Sequence, residues 1–170
     1  RLIKEFSLEK IYIPPDQPDV MIQSTDISRP GLNLTGFYEY FDPKRIQVVG
    51  RMEYAYLEDL SENSRRQRIF ELFEQKFPCL ILTRGLDVFP EILEAAKQNG
   101  VTVLRTNEST SSFTGAIIST LNTELAPRIT RHGVLIEIYG EGVLLLGESG
   151  VGKSETAIEL VKRGHRLVAD

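Results

Sequence analysis

The clearest chemistry in this chain sits in eight consecutive residues, Gly147-Glu148-Ser149-Gly150-Val151-Gly152-Lys153-Ser154. They satisfy G-x-x-x-x-G-K-[ST], the spacing of a phosphate-binding loop. The glycines let the backbone curl until successive N–H groups point inward at phosphate oxygens. A helix starting at Lys153 adds unpaired N–H groups and about half a positive charge at its N-terminus. Lys153 then reaches the terminal phosphates of a nucleotide, and the Ser154 hydroxyl is placed to ligate Mg²⁺. The bare pattern also describes a glycine-rich turn with a surface lysine. Here the apolar run VLLL precedes it, and Ala157, Ile158, Leu160 and Val161 follow at helical spacing, so strand and helix flank the loop as phosphate binding requires. Glu148 is the awkward member. Its carboxylate repels phosphate unless it points away or meets the metal.

Two further groups belong to the same region. Asp170 ends the strand expected after the loop helix, and ligands of open α/β sheets bind at the carboxyl ends of strands. An acid there can hold Mg²⁺ or accept a proton from a hydroxyl nucleophile, and it can equally be a turn aspartate. His132 precedes the first strand of this region; a histidine there can neutralise developing charge or shuttle a proton, or simply sit in a surface turn. His165 follows the helix stop Gly164 and reads as a partner of the helix dipole. Arg65, Arg66 and Arg68 read as a solvated helix face. Thr83-Arg84-Gly85 and Thr106–Ser112 follow strands, where either ligand binding or plain capping fits.

The elements that must position these groups follow from periodicity. Residues 1–30 read as irregular, because Pro14, Pro15, Pro18 and Pro30 forbid long regular elements there. Strands are expected at Arg45–Val49, Cys79–Leu82 and Val101–Leu104, and helices at Glu58–Phe77, Pro90–Gln98 and Ser111–Leu125. Strand–helix alternation implies a mainly parallel sheet with right-handed crossovers. The fold class expected is α/β: a small N-terminal domain over residues 1–125, broken at Pro127, then the start of a P-loop domain over 126–170. That second part should open with a hairpin, Val134–Tyr139 and Val143–Leu146, turning at Gly140-Glu141-Gly142. A P-loop core needs several further strands, so the sequence reads as a fragment of a larger enzyme.

Composition narrows the function classes. Of 170 residues, 41% are hydrophobic and 26% charged, an ordinary globular balance. The net charge of −4 argues against nucleic-acid binding, which calls for a basic face. No apolar run approaches the roughly 20 residues of a membrane span, and no secretory segment opens the chain. The single cysteine, Cys79, excludes an internal disulfide and reads as a buried thiol in a reducing cytoplasm.

Several stretches taken together resemble the HPr kinase/phosphorylase family. They are Arg131-His132-Gly133-Val134-Leu135-Ile136, the loop GESGVGKSETA, and Arg163-Gly164-His165-Arg166-Leu167-Val168-Ala169-Asp170. Asp26-Ile27-Ser28-Arg29-Pro30-Gly31-Leu32, Arg45-Ile46-Gln47 and Thr83-Arg84-Gly85-Leu86 extend the resemblance through the first domain. It implies a bifunctional, Mg²⁺-dependent, homohexameric cytoplasmic enzyme that governs carbon-source use. Such an enzyme phosphorylates a serine of the phosphocarrier protein HPr from ATP or pyrophosphate, and removes that phosphate with inorganic phosphate to give pyrophosphate. The resemblance makes His132 and Lys153 active-site residues and Ser154 a Mg²⁺ ligand. It puts the proton acceptor on an aspartate directly after the position of Asp170. Glu148 stands where the family usually has Asp, and Glu141 where it lacks an acid. The first domain is implied to resemble the N-terminal domains of certain cell-wall ligases. The rival readings are a nucleotide-binding regulatory module and a plain ATPase.

Overall fold

The computed structural model describes all 170 residues. The chain divides into two units, Arg1–Ala126 and Pro127–Asp170. Its elements are α1 (Leu2–Glu5), β1 (Glu9–Tyr12), β2 (Ile27–Ser28), β3 (Ile46–Val49), α2 (Arg51–Asp59), α3 (Glu62–Phe73), β4 (Cys79–Leu82), α4 (Pro90–Asn99), β5 (Thr102–Arg105), α5 (Thr110–Glu124), β6 (Gly133–Ile138), β7 (Glu141–Leu146), α6 (Lys153–Lys162) and β8 (Arg166–Ala169). The architecture is mixed α/β with a mainly parallel sheet in the first unit, as the alternation implied.

That sheet has the order β1-β5-β4-β3-β2, with β2, β3, β4 and β5 parallel and β1 antiparallel at one edge. The central strands IQVV and CLIL are buried at every position, because helices cover both faces. On one face Val49, Leu80 and Leu82 pack with Leu72 and Phe73 of α3 and Ile92 of α4. On the other, Ile46, Val48, Ile81 and Leu104 meet Phe113, Ile117 and Leu121 of α5. Each such side chain, fully buried, contributes about 1.5–3 kcal/mol. Cys79 lies in the second cluster, and burial pushes its thiol up to about 12.

The structure corrects three expectations. The helix expected over Glu58–Phe77 is two helices. Leu60 is extended at φ −75° and ψ 149°, and the Ser61 hydroxyl accepts from Ser64 N at 3.3 Å, so a fresh cap starts α3. Residues 1–30 are not wholly irregular: β1 pairs with β5 and β2 with β3. These strands are short, and they exist because a partner supplies their hydrogen bonds. The hairpin of the second unit turns at Tyr139-Gly140, with φ 51° and 85°, and Glu141 and Gly142 already belong to β7. Two positive φ values are what a two-residue turn of the favoured hand requires.

The turns that follow β4 and β5 bind each other. Arg84 N donates to Glu108 O at 2.8 Å and Gly85 N to Thr106 O at 2.9 Å. Thr83 and Thr110 share a hydroxyl contact of 2.7 Å beside Gly50, and Ser109 caps α5 through Ser112 N. These donors are spent on turns and caps. The arginine cluster is likewise engaged: Arg65 pairs with buried Glu91 at 3.1 Å and lies over Phe89, Arg66 pairs with Glu94, and Arg68 with Glu71. It is thus a set of helix-to-helix and intrahelical pairs more than a solvated face.

Gly50 sits tightly in this packing. A Cβ there would lie 2.6 Å from Thr110 Oγ1 and 3.1 Å from Arg29 Nη2. Gly50→Ala therefore has to displace a hydrogen-bonded threonine, and a loss of about 1–3 kcal/mol is expected by chemical denaturation. An unchanged midpoint would show that the cluster is loose.

Candidate phosphate-binding site

The second unit is a three-stranded sheet ordered β7-β6-β8, with β6 antiparallel to both neighbours. β7 and β8 consequently run the same way, joined through the loop and α6. Residues 147–152 leave the carboxyl end of β7 and deliver Gly152, at φ 96° and ψ 19°, as the residue before α6. Gly150 is also left-handed, at φ 84°. Gly147 is needed for space: a Cβ there would stand 2.8 Å from Val151 Cγ2 and 3.8 Å from Lys153 Cδ. A valine at a variable motif position gives no hint in sequence that it lies over the first glycine.

The N-terminus of α6 is left open. No side chain caps it, and the first intrahelical bond runs from Thr156 N to Gly152 O at 3.0 Å. The N–H groups of Lys153, Ser154 and Glu155 therefore have no partner within the helix. By contrast α3 and α5 are capped by serine hydroxyls. An uncapped helix start after a glycine-rich curl favours an anion through both its donors and its dipole.

Lys153 is held across this opening. Its Nζ donates to the carbonyl oxygen of Gly147 at 2.7 Å and to that of Glu148 at 2.6 Å. An ammonium has three donors, so one is left for an outside oxygen while two fix its position. The lysine takes the backbone carbonyl of Glu148, not its carboxylate, and the Glu148 side chain is exposed.

Ser154 and Asp170 line one cleft of about 300 Å³ together with Val134, Ala157, Ile158 and Leu167. The pairing of Leu135 with Ala169 carries the end of β8 to this place. No group of three or more His, Cys, Asp or Glu residues forms a metal cage. One hydroxyl and one carboxylate suit Mg²⁺, which takes few protein oxygens and fills its shell with phosphate oxygens and water. His132 is exposed and precedes β6. Gly133 pairs with Leu146, so His132 and Gly147 lie at the same end of the hairpin. His165 lies at the other end, its ring 5.0 Å from that of Tyr139 in an edge-on contact. The structure therefore separates the two histidines.

Comparison with known proteins agrees along the whole chain. A family model described as HPr Serine kinase N terminus matches residues 1–121, and one described as HPr Serine kinase C-terminal domain matches 123–170. An HPr kinase/phosphorylase of Clostridium perfringens is 49% identical over 170 residues, all of this chain and 55% of the relative. That of Caldicellulosiruptor bescii is 51% identical over the same shares. The chain thus spans about half the length of the curated relatives it matches. Among solved structures, the CBS and DRTGG domains of the regulatory region of a Clostridium perfringens pyrophosphatase, complexed with diadenosine tetraphosphate, align with a TM-score of 0.49. The identity there is 22%, over 69% of this chain and 44% of that one.

Proposed function

The chain belongs to the HPr kinase/phosphorylase family, and from that premise we propose that it carries the phosphate-binding half of a serine phosphotransferase acting on the phosphocarrier HPr. The donor is ATP or pyrophosphate. In the reverse direction inorganic phosphate takes the phosphoryl group back and pyrophosphate is formed. A cytoplasmic setting and a hexameric assembly belong to the same reading.

The observation that supports it best is the loop geometry: an uncapped helix start and a lysine already fixed by two loop carbonyls. Phosphoryl transfer asks little covalent chemistry of a protein. It asks for clamped phosphates, neutralised charge and an oriented nucleophile. The backbone from Gly147 to Gly152, including Glu148, Ser149, Gly150 and Val151, cradles the phosphates, and Lys153 offers its remaining donor to a terminal phosphate oxygen. In the forward direction the serine oxygen of HPr forms a bond to phosphorus while the bond to the leaving phosphate oxygen breaks. The serine proton passes to a carboxylate at the end of β8, where Asp170 stands; by family resemblance the acceptor is the aspartate that follows it. His132, at the loop end of the hairpin, adds positive character or hydrogen bonding to the transferring group. Ser154 and Asp170 are the residues that would hold Mg²⁺, which when bound neutralises phosphate charge.

The test is a serine-phosphorylation assay on the full-length protein that carries this chain, with HPr, Mg²⁺ and ATP, followed by inorganic phosphate. Transfer to HPr and its phosphate-dependent reversal are expected. Nucleotide hydrolysis without transfer would leave a plain ATPase, and nucleotide binding without turnover a regulatory module.

A further inference from the structure

A cavity of about 350 Å³ opens at the amino ends of β3 and β4, far along the sheet from the turns at their carboxyl ends. Lys44 and Lys76 line it, with Gln17, Gln23 and Asp19 on the wall and Phe77 among the apolar residues of its floor. Neither lysine forms an ion pair. The nearby Asp42 carboxylate is taken by Arg45 at 3.3 Å and by the backbone N of Lys44 at 2.9 Å, so the Lys44 ammonium keeps its donors. Asp19 is the sole acid among the lining residues against two lysines, and Asp42, just outside the lining, also attracts the Lys44 charge.

Lys76 carries a second, independent signal. Lys76, three residues beyond the end of α3, is left-handed at φ 52°, where glycine takes that conformation after α4, at Gly100 with φ 65°, and after α6, at Gly164 with φ 93°. Glycine fits that conformation without strain, and a long side chain does not. Lys76 N still makes the closing bond to Phe73 O at 3.0 Å, so the turn itself has no need of a lysine. Of the five non-glycine residues with positive φ, Ser7, Tyr40, Lys76, Arg84 and Tyr139, Lys76 is the one that lines this cavity, beside a second lysine with no ion pair.

We propose that this cavity is a binding site for a small organic anion. Its phosphate or carboxylate head lies between Lys44 and Lys76, the amides of Gln17 and Gln23 serve neutral oxygens, and a short apolar body rests on Val20, Pro43 and Pro78. All of its lining residues belong to the first unit.

The chain labelled with ¹⁵N is titrated with inorganic phosphate and, separately, with succinate, following backbone amides by NMR. Saturable shifts are expected at residues 17–23, Lys44 and Lys76 with weak, millimolar-class affinity. Shifts at residues 147–155, if any, are followed separately and do not bear on this site. Lys44→Ala and Lys76→Gln each weaken the first-unit response about tenfold, the loss of one charge-assisted contact. Lys76→Gly weakens it as much while raising the melting temperature by about 2–4 °C, because the strain is relieved. Saturation by either probe with this dependence upholds the site, and the tighter probe names the head group. Shifts that never saturate, or that persist undiminished in the lysine variants, overturn it.

Discussion

Lys153→Ala is expected to abolish the proposed transfer in both directions, with a loss of at least about 10²–10³-fold in kcat, the effect of removing a preorganised charge from a transferring group. Both directions suffer because both pass through the same phosphoryl group. The geometry adds a second reason. Two of the ammonium donors hold the carbonyls of Gly147 and Glu148 at 2.7 and 2.6 Å. Removing the side chain frees both carbonyls, and the loop loses the tie that keeps its start over the helix N-terminus. Nucleotide affinity therefore falls together with kcat.

Lys153→Arg separates the two roles. A guanidinium keeps the charge but is planar and broad, and it does not reproduce a compact ammonium seated between two carbonyls. Partial nucleotide binding with little transfer is expected of it. The decisive measurement is HPr phosphorylation, and dephosphorylation with inorganic phosphate, on the full-length protein carrying each variant. A Lys153→Ala protein that lost the kinase and kept full phosphorylase activity would disprove one shared site.

How much of this could be read beforehand depends on whether the signal was local. Pro90 and Gly100 bracket α4 as a start and stop should, and α4 runs Pro90–Asn99. CLIL is buried at all four positions, as an apolar run between helices implies. β1 and β2 were not visible, because a four-residue and a two-residue strand carry too little pattern, and their partners β5 and β3 decide them. The break between α2 and α3 rests on one serine cap that helical spacing across Glu58–Phe77 concealed. At the loop, spacing alone announced Lys153 and Ser154. Which atoms anchor the lysine was hidden, since carbonyl groups have no letter in a sequence. So was the overlay of Val151 on Gly147. The arginine cluster misled for a similar reason: its acidic partners Glu91 and Glu94 lie on another helix.

Residues 1–170, expressed alone, are expected to hold a firm first unit and a labile second one, and to transfer no phosphate to HPr. The second unit buries only Val134, Ile136 and Ala157 fully, with Ile138, Leu145 and Leu160 partly covered. Meanwhile Leu144, Leu146, Val151, Ile158, Val161, Leu167 and Val168 are each between 43 and 63% exposed. Burial of apolar surface is the main term that offsets the entropy of ordering the chain. Three fully buried side chains are a small core for residues 127–170. The first unit differs in kind, with two apolar clusters on opposite faces of its sheet. Hydrogen exchange reads the contrast directly: amides of β6, β7, α6 and β8 should exchange at least about 100-fold faster than those of β3 and β4. The exposed apolar face of α6 should also bind a hydrophobic dye, and nucleotide affinity should be weak because an unstable helix N-terminus cannot present its donors. Equal protection in the two units would show that the hairpin and α6 are stable by themselves. Appreciable transfer to HPr by residues 1–170 would go further and make Asp170 the proton acceptor, in place of the residue that family resemblance puts after it.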